Sequence, residues 1–373
     1  MSVSIKQVCN AMERWAPSGL AYEWDRVGLQ IGEPDAPVTK VMTCLTVTED
    51  VVARAEKWGA NLIVAHHPVL FRPLKSLRSD DTHTRLCLRL ATANIAVFAA
   101  HTNLDVVPDG VNTLLAKTLG LQEIKPLVPI ATGGQVKVIT FVPASHLDAV
   151  RSAMGAAGAG VIGNYDTCSF STPGTGTFHP GAGASPYSGK KGALNHEAEV
   201  RLEMLVLEVQ LGGVLSALRA AHPYEEPAYD VVVLKNRDLR YGLGARGVLK
   251  RPMKLQQFAE QVRSALNLSH VRLVGRGTTS VKRIAVCGGA GGGEIGQVPK
   301  DIDVFVTGDL KYHEADSARE RGLALIDAGH VGTERGIAPH IARYLRKEIK
   351  GITVKSVVEG EIFKVVSGNG RSA

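Results

Sequence analysis

The segment EKWGANLIVAHHP, residues 56–68, carries a helix end, a chain reversal, an apolar run and two adjacent histidines. Thr48 is placed to cap a helix over EDVVARAEKW, and Gly59 is suited to stop it in the left-handed conformation. NLIVA is short and continuously apolar, the pattern of a strand buried on both faces of a parallel sheet. Neighbouring strand side chains point to opposite faces, so His66 and His67 converge only where the strand has already ended. Pro68 fits that ending: it cannot donate to a ladder, and it keeps the residue before it extended. In open α/β sheets this carboxyl edge is where ligands bind. The alternative is one core histidine beside one surface histidine.

The flanking sequence repeats the pattern. Ser4 is a cap for a helix reaching Trp15 and ended by Ala16-Pro17. KVMTCLTVT (residues 40–48) reads as a strand, residues 80–94 as a helix and IAVFAAH (residues 95–101) as a second buried strand. Strand–helix–strand repetition predicts an α/β sheet with right-handed crossovers. From Gly134 the order becomes strand QVKVITFVP, helix HLDAVRSAMGAAG, a loop rich in Gly, Ser, Thr and Pro over residues 158–194, strand EVRLEMLVLEV, helix VLSALRAAH and strand PAYDVVVLKN. That order suggests a ferredoxin-like α+β unit. Beyond Asn236 the α/β pattern returns. Helices are expected at 254–266 and 312–321, and strands at 283–287, 303–307 and 323–327. A long helix at 333–347, with Thr333 as a possible cap, a terminal strand at 353–357 and a frayed tail, SGNGRSA, complete the reading. The expected organisation is an α/β half over 1–133, an inserted ferredoxin-like domain over 134–235 and a second α/β half over 236–373. An internal echo relates the halves: aligning Gly59 with Gly322 sets EKWGANLIVAHH against ERGLALIDAGH and puts His67 opposite His330.

Two further strand ends carry the same kind of residue. His101 closes IAVFAAH, with Asp105 four residues on, and His330 follows LALIDAG, with Glu334 four residues on. On a helix that spacing places two side chains on one face. Each pair has a plain structural reading, Asp105 as a turn or cap residue and Glu334 as an acid suiting a helix N-terminus. Together, three strands from both halves end in histidine. Imidazole and carboxylate without thiolate suit zinc, iron or manganese. Three or more histidines with two carboxylates exceed one tetrahedral site and match a pair of metals. CGGAGGGE (residues 287–294) is either a glycine turn or a set of backbone N–H groups for an anion; it lacks the Lys-Ser/Thr of a phosphate loop. His313, in TGDLKYHEA, is a helix-start residue or a substrate contact. No GxSxG motif is present, so serine or cysteine covalent catalysis has no support.

Composition narrows the classes. With 45% hydrophobic and 21% charged residues over 373, the chain is not a disordered one. Its 40 glycines follow no triplet period, and no apolar stretch reaches the roughly 18–20 residues of a membrane helix. The N-terminal MSVSIKQVCNAMERW lacks the apolar core of a secretory signal, so a cytoplasmic location is expected. Five cysteines (Cys9, Cys44, Cys87, Cys168, Cys287) are odd in number and form no CxxC, which predicts reduced thiols and no thiolate zinc site. The net charge of +7 is compatible with phosphate-bearing substrates or weak nucleic-acid contact.

EWDRVGLQIG (residues 23–32), AHHPVLF (65–71), HTNLDVV (101–107), CGGAGGG, TGDLKYHEA and GHVGTERG occur in an order that resembles the Nif-three-like family (Ngg-one-interacting-factor-three proteins), many of which carry the name GTP cyclohydrolase 1 type 2 homolog. The resemblance covers essentially the whole chain. Arg26 stands where that family commonly has Asn. The resemblance implies two α/β domains with the site between them, a toroidal homohexamer, and a pair of metals held by His66, His67, Asp105, His330 and Glu334, with His101 next to that cluster; in a hydrolase His101 is then the candidate for proton transfer or for orienting the water. It also implies that the middle segment, through GAGVIGNYDTCSFSTPGTGTF and AHPYEEPAYD, is similar to trimeric PII and CutA-type domains. His222 and Glu225 in HPYEEP are read as trimer-contact or strand-start residues, the alternative being a second site. The function so implied is hydrolysis of GTP, another nucleotide or a phosphoester by metal-activated water. The alternative is a non-catalytic, metal-binding regulatory or scaffold protein whose insert binds an effector or partner.

Overall fold

The structure, a computed structural model, describes residues 2–130 and 134–363. The tail SGNGRSA lies outside them. Strands run in chain order β1 (Gly28–Ile31), β2 (Lys40–Cys44), β3 (Leu62–Ala65), β4 (Ala96–Ala99), β5 (Gln122–Pro129), β6 (Gly134–Pro143), β7 (Ser169–Phe178), β8 (Asn195–Leu207), β9 (Tyr229–Arg237), β10 (Gly242–Lys254), β11 (Arg272–Val274), β12 (Ser280–Val286), β13 (Val304–Thr307), β14 (Ala324–Asp327) and β15 (Thr353–Ser356). They fall into two compact units, one built from Met1–Pro129 and Arg240–Ala373, the other from Ile130–Leu239.

The first unit holds two sheets, ordered β1-β4-β3-β2-β15 and β11-β14-β13-β12-β10-β5. β15, β2, β3 and β4 are parallel, with β1 added antiparallel at the edge. β12, β13 and β14 are parallel, flanked by antiparallel β10 and β11. The two sequence halves exchange strands: β5 pairs with β10, and β15 pairs with β2. The parallel strands β3, β4, β13 and β14 are buried at every position, which is why they read as apolar runs rather than alternations. Val51, Val52 and Ala55 of the helix Glu49–Trp58 and Leu86 and Leu90 of the helix Thr82–Thr92 pack with Met42, Ile63 and Val97 of the first sheet. Phe258 and Val262 cover one face of the second sheet, and Ile295 and Ala318 cover the other.

Local signals act as read at several ends. Thr48 Oγ1 accepts the Val51 N–H at 3.3 Å, and Gly59 stops the helix at φ 73°. Gly322, ahead of β14, has φ 74°. Ser4 and Gln7 form a reciprocal capping box. The long helix expected at 333–347 is two helices, His330–Glu334 and Ile337–Glu348, interrupted at Arg335-Gly336. Thr333 is no cap. It lies within the first of these, its hydroxyl near the Gly329 and His330 carbonyls (3.1 and 2.9 Å) while it accepts the Gly289 N–H at 2.9 Å.

The second unit is one antiparallel sheet ordered β7-β8-β6-β9, with helices Leu147–Ala156 after β6 and Leu211–Ala221 after β8. Numbering its strands 1–4 along the chain gives 2-3-1-4, a split βαβ arrangement of the ferredoxin-like kind. Residues 158–194, expected as loop, contain β7, which pairs with β8 from Ser169↔Met204 to Phe178↔Asn195. Pro173 and the glycines are tolerated because β7 is an exposed edge. Among the described residues no helix is long and apolar enough to cross a membrane.

Candidate metal centre

The site lies at the carboxyl ends of β3, β4, β13 and β14, within the first unit. β3 ends at Ala65, and Pro68 follows His66 and His67 directly. β4 ends at Ala99, and His101 precedes the short helix Thr102–Val106 that carries Asp105. β14 ends at Asp327. Gly329, at φ 72°, then turns the chain so that His330 and Glu334 open and close the five-residue helix His330–Glu334.

Four imidazoles meet here. Ring centroids are 5.1 Å apart for His66–His67, 5.2 Å for His66–His101, 5.6 Å for His67–His101 and 5.3 Å for His67–His330. The two histidines aligned by the internal echo are therefore neighbours in space. Each Nδ1 is tied outward: His66 to the Ala100 carbonyl (2.8 Å), His101 to Asp25 (2.9 Å), His330 to Asp309 (2.8 Å) and His67 to the Thr46 hydroxyl (2.7 Å). A carbonyl or carboxylate only accepts, so the Nδ1 of His66, His101 and His330 must donate. In the neutral imidazole this leaves Nε2 with a bare lone pair. Anchoring one ring nitrogen so that the other faces inward is how metal-binding histidines are held.

The carboxylates complete the crevice. Glu334 Oε2 lies 3.1 Å from His67 Nε2 and 3.0 Å from His330 Nε2, and its Oε1 is 3.9 Å from His66 Nε2. Asp105 Oδ1 is 3.7 Å from His66 Nε2, beyond hydrogen-bond reach. His66 Nε2 and Asp105 Oδ1 are both buried and without a hydrogen-bond partner among the described residues. Buried orphaned atoms of this kind are costly unless a further partner binds them. His66, His67 and His101 form one metal-competent group, and His67, His330 and Glu334 form another.

The electrostatics run the same way. Burial pushes the Asp105 carboxyl up to about 6, although His66 opposes the shift. Burial works against charge on Glu334 too, yet His330, His66 and His67 hold it well below the usual carboxylate range. Burial disfavours a charged His66, but Glu334 and Asp105 outweigh it and raise the ring to about 9. Glu334 raises His330 to about 9 against its burial. His67 is lowered, by burial and then by the neighbouring rings. The crevice thus favours positive charge, whether carried by protons on the rings or by divalent cations. Burial lifts the nearby Cys287 thiol far above its ordinary value, so it offers no thiolate. The donor set of nitrogen and oxygen fits zinc, iron or manganese.

Three anchoring residues were not assigned from the sequence. Asp25 lies in EWDRVG and Asp309 in TGDLKYHEA, both in quoted motifs; Thr46 follows β2 and carried no signal of its own. Other candidates fall outside the crevice or serve the fold. In CGGAGGG the N–H groups of Gly288, Gly289 and Gly291 bond to Asn112, Thr333 and Thr307, so they are not free for an anion. A Cβ on Gly289 would collide with the Glu334 carboxylate, which explains the glycine. His313 is exposed at the start of the helix Tyr312–Glu320, against Tyr312. In the second unit, His222 is buried with Nε2 on the Phe141 carbonyl and Nδ1 on the Tyr224 N–H, and Glu225 accepts the Ser185 N–H.

Fold and crevice define a class: an α/β protein whose two sheets present imidazoles and carboxylates to one cation-seeking cleft. The chain belongs to the Duf34/NIF3 (NGG1p interacting factor 3) family, whose model matches residues 3–361. It is 43% identical over 344 residues to the GTP cyclohydrolase 1 type 2 homolog of Halalkalibacterium halodurans, covering 92% of each chain. To the protein of the same name from Bacillus subtilis it is 42% identical over 330 residues, covering 88% of each. Among solved structures it is similar to a Bacillus cereus protein related to NIF3, with a TM-score of 0.83, 39% identity and coverage of 98% of this chain and 100% of that one.

Proposed function

We propose that this chain is a metal-dependent hydrolase working with a pair of divalent cations, zinc, iron or manganese, held by His66, His67, Asp105, His330 and Glu334. Bound there, such cations would supply a water of lowered pKa and a Lewis acid for the group attacked. Glu334 reaches both His67 and His330, so its carboxylate would hold a cation together with these rings. His101, fixed through Nδ1 by Asp25, presents Nε2 to take a proton from the water or give one to the leaving group. The relatives' name suggests attack on a purine carbon of GTP; a phosphoester or another nucleotide would use the same groups.

The observation that carries this reading is the convergence of four outward-anchored imidazoles on orphaned, buried His66 Nε2 and Asp105 Oδ1. The test is metal analysis of purified protein with turnover of a nucleotide and phosphoester panel. Glu334→Gln keeps the size of the side chain and removes its charge. It is expected to lose most of the metal and all turnover with the fold intact. Full metal content and wild-type rates in that variant would refute the reading.

In this proposal the chain works as a toroidal homohexamer, and the middle unit is a PII- or CutA-like insert. A second, regulatory reading draws on a cavity of about 610 Å³ inside the second unit, lined by β7 together with Phe141, Tyr187, Glu199, Arg201 and Tyr224. That volume lies within the range of small-molecule sites. Effector binding there with no turnover under any metal would favour this reading.

A further inference from the structure

Beside the metal-competent crevice three large aromatic rings stand in solvent: Tyr22 (37% exposed), Trp24 (56%) and Phe71 (42%). They form one cluster. Tyr22 and Trp24 stack at 5.6 Å and 22°, and Phe71 meets Trp24 edge-on at 5.9 Å. Trp24 and Phe71 each lie against His101, at 6.3 and 6.4 Å. Grouped exposed aromatics of this kind mark a binding surface rather than ordinary surface composition.

The cluster is held in place. Arg26 Nη1 donates to the carbonyls of Glu23 (3.3 Å) and Asp25 (3.0 Å), the residues on either side of Trp24. Gln30 joins the two aromatic loops: its Nε2 donates to the Arg26 carbonyl at 3.0 Å, and its Oε1 accepts the N–H groups of Val69 and Leu70 at 2.8 and 3.1 Å. The Tyr22 N–H reaches the Thr102 hydroxyl, which donates to Asp25, the anchor of His101. One hydrogen-bond network thus fixes both the aromatic rings and the imidazole. Just past Phe71, Arg72 and Lys75 are exposed in RPLKS, and neither pairs with an acid among the described residues.

From this arrangement we infer that Tyr22, Trp24 and Phe71 form a stacking platform for the planar heteroaromatic ring of a nucleotide-class substrate, whose anionic end meets Arg72 and Lys75. Exposed π-faces take bases through stacking, and unpaired cations take phosphate. His101 bounds the platform, so a ring resting there has its edge or its first linkage at the crevice. The assignment of a reacting atom rests on the hydrolytic reading above; the binding itself does not.

The test uses the full chain stripped of metal with a chelator, so that binding is read apart from catalysis. Binding of GMP, AMP, UMP and ribose 5-phosphate is measured by calorimetric titration, and tryptophan fluorescence of wild type and Trp24→Phe gives the share of any quenching due to Trp24. Saturable binding of the nucleotides, tighter for the purines and absent with ribose 5-phosphate, is expected. Trp24→Ala and Phe71→Ala should weaken purine binding about tenfold or more, while Trp24→Phe keeps most of it. Arg72→Ala with Lys75→Ala should weaken GMP but not guanosine. Equal affinity for ribose 5-phosphate, or unchanged GMP affinity in Trp24→Ala, would overturn the proposal. So would a Trp24 that acrylamide cannot reach because a second copy covers it. Metal content and turnover of Glu334→Gln are measured separately, so failure of the platform leaves the metal reading standing, and the reverse holds too.

Discussion

Replacing Asp25 with Asn probes the anchoring network with almost no change of shape. The Asp25 side chain is fully buried and accepts four hydrogen bonds. Oδ1 takes His101 Nδ1 (2.9 Å) and the Arg26 N–H (2.7 Å); Oδ2 takes the Thr102 N–H (3.0 Å) and hydroxyl (2.6 Å). An amide has one acceptor oxygen, so in either orientation its NH₂ faces two donors. If it faces Thr102, the hydroxyl can turn to accept, and one backbone bond is lost. If it faces His101, the ring loses its anchor. With hydrogen bonds to a charged group at about 1.5–3 kcal/mol each, the net loss is expected at about 2–4 kcal/mol. The pH dependence follows by linkage. Burial raises the Asp25 carboxyl, but His101 and Thr102 outweigh it and hold it well below the usual range. A lowered folded-state pKa gives stability that is complete above the unfolded value of about 3.9 and is lost as pH falls below it. The assay is urea denaturation of metal-free wild type and Asp25→Asn across pH 3–8, with turnover of the metal-loaded proteins on the nucleotide and phosphoester panel. The gap should hold from neutral pH to about 5 and narrow in acid, and turnover should fall about 100-fold or more as His101 loses its orientation. Equal stability and equal turnover would refute the assignment of Asp25 as the anchor of His101.

Further outcomes follow from the same geometry. Gly289→Ala places a Cβ against the Glu334 carboxylate at a residue with φ 65°; the left-handed backbone alone costs about 1–2 kcal/mol, and thermal denaturation with metal analysis should show reduced stability and reduced metal. Asp309→Asn removes the carboxylate on His330 Nδ1 at a half-exposed position, so metal affinity should fall about tenfold or more with little change in metal-free stability. Hydrogen bonding from His340, with Lys117 adding to it, lowers Asp109 to about 2. Its contribution is therefore present above about pH 4 and lost toward pH 2, and the stability gap to Asp109→Asn, about 0.2–1 kcal/mol for so exposed a pair, should close over that window in an acid titration.

What could be read from the chain follows from how strongly each element depends on burial. β3, β4, β13 and β14 are covered on both faces, so their apolar runs stand out, and Thr48, Gly59 and Ser4 signal ends through local chemistry alone. β1, β5, β7 and β11 were not foreseen, and each lies at a sheet edge, where Pro126 and Pro173 are harmless and no apolar alternation is required. β10 is interior, but its pairing with β12 shifts register between Val248 and Met253, which breaks any period. The exchange of β5 and β15 between sheets leaves no local trace, because pairing partners are chosen by tertiary packing. At the site, His66, His67, His101 and His330 were legible because strand ends mark the ligand edge of an α/β sheet. Asp25, Thr46 and Asp309 act by touching an imidazole far away in sequence, a relation that a single chain does not display.

The central claim is that these imidazoles and carboxylates bind cations. Anomalous diffraction from crystals of metal-loaded protein, recorded at the zinc, iron and manganese edges, tests it directly. The account predicts peaks within about 2.0–2.3 Å of His66 Nε2, of the Nε2 atoms of His67 and His330, and of Asp105 and Glu334 oxygens. A featureless anomalous map over that cleft, at metal concentrations that populate other surface sites, would contradict it.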